Sequence, residues 1–204
     1  MKNTKKALLA LTCAVMLVVG SVMGTMAYLT SQTEVVTNTF TVGNVAITLD
    51  ETDFDNSTEG KDRDTANAYH LMPGHEYTKD PIVHVASTSE DCYLFVKVTN
   101  EIEAIEDAAT KVADQMDNKG WDVLDAEKGI YVYADAQGNP IKVSKNTNVT
   151  VFEKIKVAGT VDNTTLAGYA NETITVQAYA VQADGFDGYT AAQIWTAAPL
   201  ADWN

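Results

Sequence analysis

The three histidines, His70, His75 and His84, carry the side chains best suited to zinc binding or proton transfer. A zinc peptidase of the common kind carries His-Glu-x-x-His on a helix, because the four-residue step places both ligands on one face. His75-Glu76 has no second histidine four residues later, and it follows the turn signal Pro73-Gly74. We therefore interpret the histidines as surface residues, with a joint site of His70, His75 and a carboxylate as the alternative. No catalytic, cofactor-binding or metal-binding residue is assigned.

An acidic stretch at 50–68 is the second candidate for chemistry. Asp53-x-Asp55-x-Ser57 begins like a calcium loop, but Thr58 stands where the loop needs glycine and Asp64 where it needs glutamate. The stretch has seven acidic residues and almost no large apolar ones. It is predicted to be a long exposed loop that is mobile and dispensable for folding. Weak cation binding is the alternative.

Nucleophile and ligand chemistry have little support in the sequence. Neither Gly-x-Ser-x-Gly nor a glycine-rich phosphate loop is present. Cys92 opens the apolar run 92–98 and is interpreted as a buried inert thiol, with a reactive or intermolecular thiol as the alternative. Five aromatic residues are interpreted as core packing, with a ligand groove as the alternative: Trp121, Tyr131, Tyr133, Tyr179 and Trp195.

The charge balance narrows the choice of partner. The chain has 204 residues, 14 basic against 28 acidic side chains, and a net charge of -14. Such a surface repels phosphate backbones and anionic lipid, so no nucleic-acid partner is predicted. Hydrophobic residues make up 46% of the chain, which is enough for one domain with a buried core.

The first 27 residues have the features of a secretory signal peptide. Lys2, Lys5 and Lys6 form a positive start, an apolar run follows at 7–19, and Thr25-Met26-Ala27 supplies small residues for cleavage. Cleavage is predicted between Ala27 and Tyr28, and the processed protein is expected outside the cell or at its surface. An uncleaved membrane anchor is the alternative, since no charge occurs from 7 to 33.

Period-two alternation dominates the rest of the chain. The pattern predicts a mostly β fold, an antiparallel two-sheet sandwich with one inserted amphipathic helix. A short second helix is expected near the end of the chain. Strands are predicted at 40–49, 81–86, 92–99, 129–133, 141–143, 147–157 and 172–183, and helices at 102–116 and 189–198. The chain divides into the signal peptide 1–27, an arm at 28–42 and a β domain at 40–204.

Several short segments together resemble the TasA and camelysin family of secreted matrix proteins. Gly24-Thr25-Met26-Ala27-Tyr28-Leu29 resembles signals that the dedicated signal peptidase SipW cleaves. The most distinctive match is Ala178-Tyr179-Ala180-Val181-Gln182-Ala183-Asp184-Gly185. The other matching segments are 40–47, 71–74 and 93–98.

The resemblance implies a jelly-roll domain, export from a Gram-positive cell and assembly into extracellular fibres of a biofilm matrix. The implied partners are copies of the chain itself, related matrix proteins and the dedicated signal peptidase. The resemblance also implies donor-strand exchange, in which the arm freed by cleavage pairs with a sheet of the next subunit. The implied donor residues are Tyr28, Leu29, Val35, Val36, Phe40 and Val42.

Two other functions compete with a fibre subunit. The resemblance also carries a camelysin-like surface metallopeptidase, although the helical zinc motif is missing from this sequence. A monomeric surface adhesin fits the same composition. A fibre subunit is distinguished from both by its ability to polymerise once the signal has been removed.

Overall fold

The computed structural model describes residues 43–198. About 34% of these residues lie in strands and 14% in helices, so the predicted mostly β class is confirmed. The predicted signal peptide, the cleavage site at Ala27 and Tyr28, and the donor residues Leu29, Val35, Val36, Phe40 and Val42 lie outside the described residues, as do residues 199–204.

The strands within 43–198 form three antiparallel sheets. The strands are β1 (Ile47–Thr52), β2 (Arg63–Asp64), β3 (Glu76–Thr78), β4 (Ile82–Val85), β5 (Cys92–Asn100), β6 (Trp121–Asp125), β7 (Ile130–Tyr133), β8 (Asn148–Thr150), β9 (Lys154–Lys156) and β10 (Ile174–Gln182). One four-stranded sheet has the order β2-β1-β4-β8, another has the order β10-β5-β7-β6, and β3 pairs with β9 alone.

The inserted helix predicted at 102–116 is confirmed only in its last part. A 3-10 turn at Glu103–Ile105 is followed by irregular chain, and the α-helix α1 occupies Val112–Asn118. The backbone between them is hydrogen-bonded to β9 and to the residue after it. Asp107 N donates to Lys156 O at 2.8 Å, and Glu106 forms a β-bridge with Val157. Two more helices occur in the described part of the chain, α2 (Asn163–Ala167) and α3 (Ala191–Ala197).

The long strand predicted at 147–157 is two strands in different sheets. β8 pairs with β4, whereas β9 pairs with β3, and the chain between them changes direction. The predicted strand at 141–143 contributes one isolated bridge, between Val143 and Cys92. The strands predicted near 81–86, 92–99, 129–133 and 172–183 are confirmed as β4, β5, β7 and β10, and the helix predicted at 189–198 is confirmed as α3.

The continuous apolar run of β5 is explained by burial on both faces. Leu94 and Val96 face a core that both four-stranded sheets share, and each is 0% exposed. Tyr93 and Phe95 face a second core, which α3 covers with Ile194. Each fully buried side chain of this size contributes about 1.5–3 kcal/mol, so β5 is the central strand in energetic terms as well as in position.

The two four-stranded sheets are joined along one side. Cys92 and Val143 exchange two backbone hydrogen bonds, at 2.9 and 2.8 Å. The Trp121 indole N–H donates to Thr150 O at 2.9 Å and ties β6 to β8. On the opposite side, β1 and β10 are not hydrogen-bonded neighbours within 43–198. None of the helices described has the length and apolar character that crossing a membrane requires.

Candidate functional site

The strand β10 has a free edge in the described part of the chain. It pairs with β5 over all nine of its residues and with no second strand of 43–198. Glu101 N donates to Thr173 O at 3.0 Å and Ala183 N donates to Asp91 O at 2.8 Å, so the odd-numbered residues direct their backbone groups toward β5. The even-numbered residues from 174 to 182 direct theirs to the open side.

The same even-numbered residues leave apolar side chains partly uncovered. Ile174, Val176, Ala178 and Ala180 pack against the shared core but are only half-buried. On the neighbouring strand β5, the residues of that core are fully enclosed. Within the part of the chain that the structure describes, the edge of β10 therefore offers unpaired backbone hydrogen-bonding groups and apolar surface together, which is the combination that an added strand uses.

A groove of about 990 Å³ runs along this edge. β1 borders it with Leu49, and residues 163–173, which include α2, border it on the side of β10. Ala86 N donates to Ala46 O at 2.9 Å, so Ile47 and Leu49 direct their backbone groups away from β4. The apolar lining includes Leu49, Ile102, Ile155, Leu166, Ile174 and Val176.

One end of the groove is polar and holds a buried ion pair. Lys79 Nζ lies 2.8 Å from Glu51 Oε2 and 3.2 Å from Oε1. Asn67 Nδ2 donates to the same Glu51 Oε1 at 2.9 Å. The Lys79 ammonium also lies 5.7 Å from the centre of the Tyr69 ring. No sequence motif includes Glu51, Asn67 and Lys79 together, and they are separated along the chain, so the sequence did not predict this cluster.

The acidic stretch at 50–68 is more ordered than predicted. Residues 50–52 belong to β1, and Arg63 pairs with Asp50 and reaches Asp80 at 3.2 Å. Asp53 is 9% exposed and accepts hydrogen bonds from the backbone of Ser57 and Thr58, both at 3.0 Å. The prediction of a wholly exposed loop is therefore wrong, because the carboxylates hold the turns of the segment together.

The candidate metal residues do not come together. His70 and His75 are exposed, as the sequence predicts. His84 lies on β4, with Nε2 at 3.0 Å from Asp50 Oδ1 and Nδ1 at 2.8 Å from Asn148 Oδ1. Within 43–198, no group of three or more His, Cys, Asp or Glu side chains is arranged to hold a metal ion.

The thiol and the aromatic residues belong to the cores. Cys92 is fully buried, and burial raises the pKa of its thiol to about 11, which confirms the interpretation as an inert group. Trp121 is 1% exposed and packs on Tyr133 with ring centres 5.4 Å apart. Trp195 packs on Phe95 at 5.2 Å, so α3 carries an anchor for the second core.

Comparison of the chain with protein-family models, with curated proteins and with solved structures finds no match. The fold and site define the class of protein: a mostly β domain of antiparallel sheets in which the β10 edge is unpaired within residues 43–198 and borders an apolar groove. We therefore infer its function from the geometry of that edge and from the residues that line the groove.

Proposed function

We propose that the protein is a secreted structural subunit of extracellular biofilm-matrix fibres, and that copies join by β-strand exchange. In this proposal, the arm 28–42 of one copy adds to the free edge of β10 in the next copy. The observation that carries the proposal is the open edge itself, with its unused backbone groups and half-buried apolar side chains. A jelly-roll arrangement of the sheets is part of the same proposal.

The arm has the length and pattern that this edge needs. It has fifteen residues, and β10 has nine. In an extended strand, alternate side chains share a face, so Val36, Phe40 and Val42 point to one side and Val35 to the other. We propose that Val36, Phe40 and Val42 enter the groove. Each buried side chain contributes roughly 1.5–3 kcal/mol before the cost of ordering the arm.

Strand exchange also gives the signal peptide a role in timing. An arm that is still attached to residues 1–27 is held at the membrane, so assembly waits until export and cleavage are complete. Covering the β10 edge removes a surface that otherwise recruits unrelated strands. The contact is heterologous, because arm and groove are different surfaces, and heterologous contacts produce open filaments.

The proposal is tested with two variants that each lack one half of the contact. The first lacks residues 28–42, so it has none of Val36, Phe40 and Val42, and it keeps the groove. The second is Ala178→Pro, which removes a backbone N–H on the open side of β10 while the ladder to β5 stays intact. Each variant alone is expected to remain a folded monomer by circular dichroism and light scattering. An equimolar mixture is expected to form one-to-one dimers that do not grow.

The unaltered processed chain is expected to form long fibres in electron micrographs under the same conditions. Fibres from the arm-deleted variant, or a mixture that stays monomeric, would overturn strand exchange. An unaltered chain that stays monomeric would favour the surface adhesin, and chelator-sensitive proteolysis by that monomer would favour the metallopeptidase.

A further inference from the structure

Three side chains at the polar end of the groove hold the reactive groups for an amide exchange. Lys79 supplies a primary amine, Asn67 a carboxamide and Glu51 a carboxylate. Glu51 Oε1 is 3.2 Å from Lys79 Nζ and 2.9 Å from Asn67 Nδ2, so one oxygen bridges the amine and the amide nitrogen. A single carboxyl group is therefore placed to take a proton from one nitrogen and deliver it to the other.

The carbonyl oxygen of the same amide is held by two backbone donors. Phe54 N donates to Asn67 Oδ1 at 2.6 Å, and Asp55 N donates to it at 3.3 Å. Two N–H groups on one carbonyl oxygen polarise the bond and stabilise negative charge that develops on that oxygen. This arrangement is an oxyanion hole for attack at the Asn67 amide carbon.

The amine and the carboxylate are shielded from water, whereas Asn67 is half-buried. Glu51 is 6% exposed and Lys79 is 9% exposed. The Tyr69 ring lies beside the ammonium, and Phe54 stacks on Tyr69 with ring centres 5.1 Å apart. Attack requires the neutral form of the Lys79 amine, and Glu51 Oε2, 2.8 Å away, is the group placed to accept its proton.

We propose that Lys79 and Asn67 form an intramolecular isopeptide bond, and that Glu51 is the catalytic acid and base. The Lys79 Nζ lone pair attacks Asn67 Cγ, and the carbonyl electron pair moves onto Oδ1. Protonated Glu51 donates its proton to Nδ2 and takes one from Nζ. The Cγ–Nδ2 bond breaks, the carbonyl re-forms, and ammonia leaves. One amine and one primary amide become one secondary amide and one ammonia, with no oxidant or reductant.

The proposed bond replaces an ion pair with a covalent link between two segments of the chain. Asn67 lies in the segment after β2, and Lys79 lies between β3 and β4, so the link holds the acidic segment against the β3–β4 connection. Cys92 is buried and unpaired, and Cys13 lies in the predicted signal peptide. An isopeptide bond would give an exported domain the chain constraint that other exported domains obtain from disulfides.

The direct test is the intact mass of the unaltered protein after denaturation. The expected mass is lower than the sequence mass by one ammonia. Trypsin requires a free lysine amine, so it is expected to leave the bond after Lys79 uncut and to release residues 64–97 as one looped peptide. Fragmentation of that peptide should join Lys79 to Asn67. Full mass together with normal cleavage after Lys79 would overturn the proposal.

Variants separate the catalytic role of Glu51 from a structural one. Glu51→Gln keeps the shape but removes the proton carrier, and it is expected to show the full mass. Lys79→Arg is expected to show the full mass as well. Lys154→Arg is the matched control, because Lys154 forms an exposed pair with Glu76 at 2.9 Å, and it should still lack one ammonia. A folded Glu51→Gln protein that lacks one ammonia would contradict the catalytic assignment.

The measurement does not depend on fibre formation. It is made on denatured monomer, so an isopeptide bond found in a protein that never polymerises would support this inference and reject only the proposed function. If the variants fail to fold, the mass and peptide map of the unaltered protein still decide the question.

Discussion

Glu106 is a carboxyl group enclosed between β5 and α1. It is 7% exposed and accepts hydrogen bonds from Asn100 Nδ2 at 3.0 Å and Val112 N at 3.4 Å. Burial raises the pKa of Glu106, and the hydrogen bond from Asn100 offsets only part of that effect. The half-buried carboxyl of Asp107 next to it behaves oppositely, since a hydrogen bond from the Ala109 backbone lowers its pKa.

The Glu106→Gln variant is predicted to gain stability relative to the unaltered protein as the pH rises. A carboxyl whose folded-state pKa is raised stabilises the fold fully below its unfolded pKa, near 4.5. That contribution is lost as the pH rises through the folded-state pKa. The neutral Gln cannot ionise, so the difference in free energy of unfolding should grow in its favour from pH 4.5 toward pH 7 in urea titrations.

The matched control is Glu153→Gln, which alters a carboxylate whose side chain is 58% exposed. This substitution reports the effect of losing one carboxylate at an exposed site, without the contribution of burial. A Glu106→Gln difference that is constant with pH would contradict the burial argument, because a purely steric effect of the substitution does not titrate.

At the scale of elements, the close approach of β5 to the turn before β7 is the tightest constraint. Gly129 has a φ of +66°, and Val98 N donates to Gly129 O at 2.9 Å. A Cβ at this position would lie 2.2 Å from Val98 O, which is inside the contact distance of any carbon and oxygen. The glycine is therefore needed for the approach of two strands as well as for the turn.

Gly129→Ala is predicted to destabilise the fold by more than the conformational cost alone. Gly60 is the matched control, because its φ is +76° and no atom lies within 4 Å of the added Cβ. Gly60→Ala should lower the free energy of unfolding by about 1 kcal/mol, the cost of the left-handed conformation. Gly129→Ala should cost about 3 kcal/mol or more, because β5 or β7 has to move. Equal losses of unfolding free energy for the two variants in denaturant titrations would contradict the steric argument, because they would show that β5 and β7 move apart at no cost.

At the scale of the whole molecule, the proposal places two events in order: cleavage frees an arm, and the arm then joins a second copy. Within residues 43–198, the buried side chains form two hydrophobic cores. In the proposal, the arm supplies the donor strand and β10 the acceptor edge. Assembly should therefore be controlled by processing at Ala27.

Ala27→Leu is predicted to block both processing and fibre growth. Signal peptidases require a small residue just before the cut, so a branched side chain should leave residues 1–27 attached. Ala27→Gly keeps a small residue and should behave like the unaltered chain. N-terminal sequencing of secreted protein should begin at Tyr28 for the unaltered and Gly variants. Fibres from Leu variants that retain Met1 would contradict the proposed order.

The local sequence pattern predicted the strands that bury one face or both faces. β5 was visible as an unbroken apolar run, and β10 as alternation of Ile174, Val176, Ala178 and Ala180, because side chains repeat every two residues along a strand. The apolar spacing at 102–116 predicted one continuous helix, but only its last part, from Val112, is α-helical. Before Val112, the hydrogen bond from Asp107 to Lys156 competes with helical bonding, and that partner is 49 residues away in the chain.

The sequence by itself determined the class of the domain, its acidity, the signal-like start and most long strands, since each of these depends on composition or on neighbours in the chain. Only the tertiary structure decided that β10 has a free edge among the strands of 43–198, and that Glu51, Asn67 and Lys79 meet. Strand order and contacts between distant side chains depend on which distant segments pair. Burial of the whole core determines this pairing, so no local window of residues is sufficient to predict it.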